Sequence, residues 1–295
     1  MTDMLAYEFM QRALLAGIII GVLCSFVSFF VVLKRLSFVG VGISHSALGG
    51  VALGLYLGLE PVLTGGLFAV AVAWAIGFVS RHGQIQEDVS IGIFFSAAMA
   101  FGIVVMGFTK GYYADLLSFL FGNILAVTTT DLWVLTGVGG VVLILLGLFF
   151  KELLLTCFDE ESARVGGVPV DQLYYLLLTC IAVTVVIAVK VVGIILASAL
   201  LVIPAAAAHE ITGNFRRMLL VSVILGVLAT TGGLSLSYQF DLASGATIVL
   251  LASLIFLGVL TFSPRRKLFQ QLKNMLSKTK GQPEKTAGQV SKSVP

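Results

Sequence analysis

The chain has 295 residues, of which 58% are hydrophobic and only 11% are charged. Apolar runs of about 20 residues recur along most of it, and each run is long enough to cross a membrane as a helix. A soluble domain of this size does not need so much apolar sequence, and a membrane β-barrel would show short alternating segments instead. The composition therefore predicts an all-α, polytopic transmembrane helical bundle.

The net charge of +3 comes from one end of the chain. Residues 263–295 contain eight of the 18 basic residues and one of the 15 acidic residues, so residues 1–262 carry a net charge of −4. A basic balance confined to a tail is no argument for nucleic-acid binding. We expect a transmembrane domain over residues 1–262 and a basic, largely disordered cytoplasmic tail over residues 263–295.

Nine segments are predicted to span the membrane. They are residues 13–33, 43–59, 62–79, 90–108, 132–150, 173–189, 191–208, 218–238 and 246–262. Eight spans are the alternative, because two of these segments meet at Lys190 with almost no loop. Residues 116–127 are too short to span and are predicted to form an interfacial or re-entrant piece with short helices. If the tail is cytoplasmic, the pairs Lys34-Arg35 and Arg216-Arg217 are also cytoplasmic, as the positive-inside rule requires.

The second span carries a stripe of small residues and a histidine. The small residues recur every four positions, at Gly42, Ser46, Gly50, Gly54 and Gly58. On a helix this spacing lets another helix backbone approach closely. His45 lies beside the stripe in an otherwise apolar segment. An ionisable group inside a membrane is costly and points to a function, and imidazole binds divalent transition metals well. The alternative is a core histidine that is hydrogen bonded to a neighbouring carbonyl.

Two polar segments outside the spans are candidate functional sites. Residues 158–169 are predicted to form a short polar helix that ends at Gly166-Gly167, and this helix is either a docking knob for a soluble partner or an ordinary connector. Asp241, in an outer loop, either caps the last helix or offers a carboxylate to an arriving cation. Pro204 is expected to kink the seventh span.

The sequence contains no motif that would carry catalysis. There is no Gly-x-x-x-x-Gly-Lys-Ser/Thr stretch, no His-Glu-x-x-His and no Gly-x-Ser-x-Gly. We therefore predict that the chain is not an enzyme, does not bind ATP through a P-loop, and carries no permanently bound cofactor.

Several stretches together resemble the membrane permeases of the ABC importers for zinc, manganese and ferrous iron. The matching stretches are residues 36–47, 87–92, 158–167, 192–206 and 241–250. The resemblance covers about residues 10–264, and the first and fourth stretches are the specific ones.

This resemblance implies a set of partners and roles in a bacterial-type plasma membrane. The partners are a second permease copy, cytoplasmic ABC ATPase subunits and an extracytoplasmic metal-binding protein. The loop that contains Glu160, Glu161, Ala163 and Gly167 is similar to the coupling loop that docks on the ATPase. His45 would be a weak, transient ligand for the transported divalent metal ion.

One position departs from the family pattern. Many members carry an aspartate four residues before the motif histidine, where this chain has Val41. Because manganese favours oxygen ligands, the loss of this carboxylate favours zinc over manganese, and manganese and ferrous iron stay as alternatives. The competing interpretations are a permease for a chelated metal or a vitamin, which would need no histidine ligand, and a secondary metal transporter, which would show inverted repeats.

Overall fold

The structure is a computed structural model, and it describes residues 6–83, 85–108, 122 and 124–262. In these ranges the chain forms helices and connecting turns, with no strand. The helices are α1 (Glu8–Leu33), α2 (Val39–Leu57), α3 (Pro61–His82), α4 (Glu87–Phe108), the 3-10 turn Ile124–Ala126, α5 (Thr129–Leu148), α6 (Phe150–Phe158), α7 (Glu160–Val165), α8 (Val170–Val192), α9 (Ile194–Leu200), α10 (Ile203–Ile211), α11 (Phe215–Phe240) and α12 (Ser244–Phe262).

Within the described ranges, nine helical segments are long and apolar enough to cross a membrane, with α9 and α10 together forming one of them. The predicted polytopic helical bundle is therefore confirmed, with the higher of the two span counts. Most of the segment at 116–127, and the whole tail at 263–295, lie outside the described residues. Of the former segment, Ile124 is buried in the 3-10 turn Ile124–Ala126.

Three helices form the centre of the bundle. In α1, α2 and α8, respectively 67%, 72% and 72% of the most apolar 18-residue stretch is buried, against 11% in α12. Aromatic rings fill the space between α1 and α6, where Phe29 stacks on Phe150 with 5.9 Å between ring centroids. The peripheral helices keep apolar side chains on the outside, as a membrane solvent allows.

The packing fixes which helix ends lie together. A Cβ atom added at Gly21 of α1 would lie 3.2 Å from the carbonyl oxygen of Gly226 in α11, and Ser25 of α1 accepts a hydrogen bond from Ser222 at 3.1 Å. These pairs run in opposite directions, so α1 and α11 are antiparallel. The end of α1 therefore lies beside the start of α11, and both ends carry the basic pairs that were assigned to the cytoplasm.

The boundary predicted at Lys190 is displaced by three residues. Helix α8 continues to Val192, and the chain turns at Gly193, whose φ of +83° is one that favours glycine. Lys190 forms an ion pair with Asp131 at the start of α5, with 2.9 Å between nitrogen and oxygen. Beyond Gly193, the predicted break near Pro204 is present, because α9 ends at Leu200 and α10 begins at Ile203.

Candidate metal path and docking helix

The small residues of α2 lie against α3 and α4 of the same protomer. A Cβ atom added at Gly50 would lie 2.8 Å from Gly65 Cα and from the carbonyl oxygen of Thr64, both in α3. One added at Gly42 would lie 2.5 Å from Ile91 Cγ2 in α4. At Gly50 the neighbouring atoms belong to the α3 backbone, and only glycine permits so close an approach of two helix backbones.

The same stripe continues through Gly54, where an added Cβ atom would lie 3.2 Å from Pro61 Cα. Ser46 is buried, and its hydroxyl donates to the carbonyl oxygen of Gly42 at 2.7 Å. The hydroxyl is thus satisfied within α2 and does not disturb the contact with its neighbours. Gly58, however, was wrongly placed in the stripe. It is the C-cap of α2, with φ +68°, and an added Cβ atom would meet nothing within 4 Å. Its role is to end the helix in the left-handed conformation.

His45 lies on a different face of α2 from the glycine contacts with α3. Its Nδ1 atom lies 2.9 Å from the carbonyl oxygen of Val41, and its ring meets the ring of Phe95 edge-on at 5.2 Å. Both His45 and Val41 are half-buried. The bond to the Val41 carbonyl is the kind expected of a core histidine, yet it engages only one ring nitrogen, so the other can serve a metal ion.

No complete metal shell surrounds His45. Across the described ranges, no group of three or more His, Cys, Asp or Glu residues is close enough to hold a metal ion. The position one turn before the histidine is Val41, which offers no side-chain ligand. A single imidazole can bind a passing divalent ion only weakly, and weak binding is what allows an ion to leave a transport path.

Helix α4 presents a second row of small residues beside His45. Gly92, Ser96 and Ala100 are exposed and follow one another at four-residue spacing. Nothing lies within 4 Å of a Cβ atom added at Gly92. Unlike the stripe on α2, this row has no contact partner at Gly92 within the described protomer.

Asp241 ends α11, and it therefore lies at the opposite end of the bundle from Lys34 at the end of α1. It is exposed, and it is the C-cap of α11 with φ +53°. One of the two alternatives was that Asp241 caps the last helix. That alternative is wrong, because the last helix begins only at Ser244. About 18 Å of helix separates His45 from the end of α2 on that side, so the two residues do not share a ligand shell.

The loop at 158–169 contains the predicted short helix, α7, which spans Glu160–Val165. The Asp159 carboxylate caps it by accepting hydrogen bonds from the amides of Glu161 and Ser162, at 3.0 and 3.1 Å. The hydroxyl of Ser162 also donates to this carboxylate, and these bonds hold the pKa of Asp159 below its usual range. The helix ends at Val165 with Gly166 as its C-cap, and Gly167 follows in the left-handed conformation with φ +79°.

The side chains of α7 divide into a buried set and an exposed set. Ala163 is completely buried and fastens the helix to the bundle, whereas Val165 is 90% exposed and the preceding Phe158 is 68% exposed. Glu161 is exposed as well. This segment thus presents apolar and acidic side chains to solvent at the end of the bundle where Lys34 lies.

Glu160 differs from Glu161 because it turns towards the bundle. Its carboxylate accepts from the Lys34 ammonium and from the Arg81 guanidinium, the latter at 3.2 Å. Arg81 also pairs with Asp171 at the start of α8. Sequence reasoning missed this cluster, because the residues that pair in it are about 80 to 130 positions apart along the chain and no local spacing joins them.

The comparisons with known proteins agree with the fold and the motifs. Residues 6–263 match the model of the ABC 3 transport family. The manganese transport system membrane protein MntC of Halalkalibacterium halodurans is 39% identical over 264 residues, which cover 90% of each chain. The chelated iron transport system membrane protein YfeD of Yersinia pestis is 36% identical, over 96% of this chain and 94% of the relative.

A solved structure supports the same assignment. The complex of PsaBC from Streptococcus pneumoniae with a Fab contains a chain that superposes with a TM-score of 0.79 at 38% identity, over 91% of this chain and 96% of that one. The nine candidate membrane spans found among the described residues all lie within residues 6–263, which the family model matches. This multi-pass membrane protein therefore belongs to the ABC 3 transport family, as the resemblance in its motifs predicted.

Proposed function

We propose that the protein is the membrane subunit of an ATP-driven importer that moves a divalent transition-metal ion into the cytoplasm. The observation that carries the proposal is His45, a half-buried imidazole within a membrane-crossing helix that has one ring nitrogen engaged by the Val41 carbonyl. An ionisable side chain within a membrane-crossing helix is costly, and such residues mark transport paths in membrane proteins. The names of the relatives, which refer to manganese and to chelated iron, support a metal as the cargo.

Zinc is the ion that the side chains around His45 favour. Zinc is borderline in softness and binds imidazole well, whereas manganese prefers oxygen ligands, and Val41 supplies no carboxylate beside His45. Manganese is the second candidate, because relatives such as MntC are named for its transport. In either case the ion is the substrate and not a resident cofactor.

A second copy of the chain is the partner that fits the exposed row on α4. Gly92, Ser96 and Ala100 would let a helix of the second copy approach closely, and His45 with Phe95 lies next to this row. Dimerisation here would bring the two histidines towards a common path. One imidazole from each copy would then meet the ion.

An ABC ATPase is the partner that fits α7. Val165 and Phe158 offer an apolar tip, Glu161 adds a charge, and Gly167 fixes the turn that follows. Asp241, exposed at the other end, is placed to attract a cation that an extracytoplasmic binding protein delivers. Energy would enter through α7, and the ion would enter at the opposite end.

The experiment that tests this function is transport by the permease reconstituted with its ATPase and binding protein in proteoliposomes. We expect ATP-dependent uptake of labelled zinc. When each ion is added unlabelled and in excess, zinc should suppress this uptake more strongly than manganese or ferrous iron does. Stronger suppression by manganese would favour the second candidate. Uptake driven by an ion gradient without ATP would refute the proposal in favour of a secondary transporter, and uptake of only a chelated metal would favour a chelate permease.

A further inference from the structure

The cytoplasmic end of the bundle holds a cluster of ion pairs around Glu160, the first residue of α7. One carboxylate joins three elements there, because Lys34 is the C-cap of α1 and Arg81 lies in the last turn of α3. A docking contact is served best by a carboxylate that is free of the bundle, whereas the Glu160 carboxylate, although 42% exposed, is held by Lys34 and Arg81. Its position calls for a different role from that of Glu161.

Other members of the cluster tie further helix ends to the same place. Asp171, at the start of α8, pairs with Arg81 and, at 3.3 Å, with Arg164 of α7. The hydroxyl of Tyr174 donates to Glu87 of α4 at 2.9 Å, and the Arg81 guanidinium lies 4.0 Å above the Tyr174 ring. The cluster therefore gathers the ends of α3, α4, α7 and α8.

The burial of the two cations makes the contact with Glu160 hard to break. The side chain of Lys34 is only 10% exposed and that of Arg81 is 16% exposed, whereas Glu160 is 42% exposed. A buried cation that loses its counter-ion is strongly destabilising. A displacement of α7 should therefore carry Lys34 with it, in preference to leaving the ammonium unpaired.

The link from Lys34 to the metal-binding helix is short and well bonded. The amide of Leu36 donates to Val31 at 2.9 Å, the amide of Val39 donates to Leu36 at 3.0 Å, and Leu36 is 1% exposed. Helix α2 starts at Val39, so His45 lies about 9 Å along that helix. The turn between α1 and α2 is therefore rigid, and a movement of Lys34 becomes a movement of α2.

We propose that Glu160 is a positioning residue that couples α7 to the helix bearing His45, and that it is not a contact for the ATPase. The inference rests on the proposed function, since it assumes that an ATPase moves α7 and that His45 meets the metal. When α7 shifts, Lys34 moves with the Glu160 carboxylate, and the rigid turn at Leu36 transmits the shift to α2. Two sites are then joined through a contiguous set of named contacts.

Neighbouring carboxylates supply a matched test of this role. Glu160→Gln and Glu161→Gln are prepared in the full-length permease, reconstituted with the ATPase, and tested with zinc or manganese, whichever the native complex moves faster. We expect Glu160→Gln to keep ATPase pull-down within twofold of native, while the number of ions moved per ATP hydrolysed falls at least fivefold. Glu161→Gln should instead weaken the pull-down and leave that ratio unchanged in the complexes that form.

A double-mutant cycle identifies the contact that carries the coupling. Lys34→Met combined with Glu160→Gln should lower the ion-to-ATP ratio no further than either single change, because both remove the same link. The double variant also leaves no unpaired lysine, so it tests the coupling even where Glu160→Gln alone folds poorly. In the control cycle, Lys190→Met replaces Lys34→Met, because Lys190 belongs to a separate ion pair with Asp131. In this control cycle, the fold-changes in the ion-to-ATP ratio caused by the two substitutions should multiply.

Three results would overturn the inference. They are a pull-down loss in Glu160→Gln equal to that in Glu161→Gln, a native ion-to-ATP ratio in Glu160→Gln, and multiplying effects for the Lys34 and Glu160 pair. A failure of the proposed function looks different, because the native complex would then transport neither zinc nor manganese with ATP.

Discussion

The contact between α2 and α3 is so close that a single methyl group at Gly50 should destabilise the protein. The added Cβ atom would lie 2.8 Å from Gly65 Cα and from the carbonyl oxygen of Thr64. Both are backbone atoms, which cannot move aside by a change of rotamer. Overpacking of this kind costs about 1–3 kcal/mol. For a chain of this size, that loss lowers the melting temperature by roughly 2 to 10 °C.

A matched glycine elsewhere separates this packing effect from the effect of alanine itself. Gly137 also lies inside a membrane-crossing helix, α5, but a Cβ atom added there meets nothing within 4 Å. Thermal unfolding of both alanine variants in detergent, followed by the loss of monodisperse protein, is the assay. We expect a clear drop for Gly50→Ala and none for Gly137→Ala. Equal melting temperatures for Gly50→Ala and the native protein would refute the intramolecular packing of the stripe.

Three further predictions concern single side chains. Val41→Asp should place a carboxylate one turn from His45, so that the permease retains metal longer in equilibrium dialysis and turns over more slowly; unchanged retention would contradict this. Burial raises the pKa of Cys157 to about 11, against an ordinary thiol value near 9. Because the thiolate is the reactive form, iodoacetamide should modify Cys157 about a hundredfold more slowly at pH 8 than it modifies a free thiol. Labelling as rapid as that of a free thiol would contradict the burial. Because its folded-state pKa is depressed, the Asp159 cap stabilises α7 above the usual aspartate pKa and is lost only as pH falls through the lower folded value. ATPase pull-down should therefore be equal at pH 8 and pH 5 and lost in Asp159→Ala at both, whereas a loss at pH 5 in the native protein would argue against the cap.

Local patterns in the sequence were enough to predict much of the fold. Apolar run length predicted the nine helical segments of the described residues that are long and apolar enough to cross a membrane, and Pro204 predicted the break between α9 and α10. Both depend on residues that are near one another in the chain. The polar helix at 158–169 was predictable for the same reason, since its cap at Asp159 and its end at Gly166 lie within one short segment.

Features that depend on distant residues were not predictable in this way. Glu160 and Glu161 are equivalent in the sequence, and only the packing of α7 on α1 and α3 turns one inward and the other outward. The four-residue repeat included Gly58 because spacing cannot show that the helix ends there. The pairing of Lys190 with Asp131 likewise joins two helices whose contact no local pattern encodes.

The contact of His45 with the transported metal is central to the proposed function. Its most direct test is zinc uptake by the reconstituted transporter. Native, His45→Ala and His45→Asp permeases are compared at matched amounts in the membrane. We expect His45→Ala to fold and assemble but to lose at least nine-tenths of the native rate. His45→Asp should retain more activity than His45→Ala and shift towards manganese, because a carboxylate restores a metal ligand of harder character. A native rate of zinc and manganese uptake in His45→Ala would contradict the account.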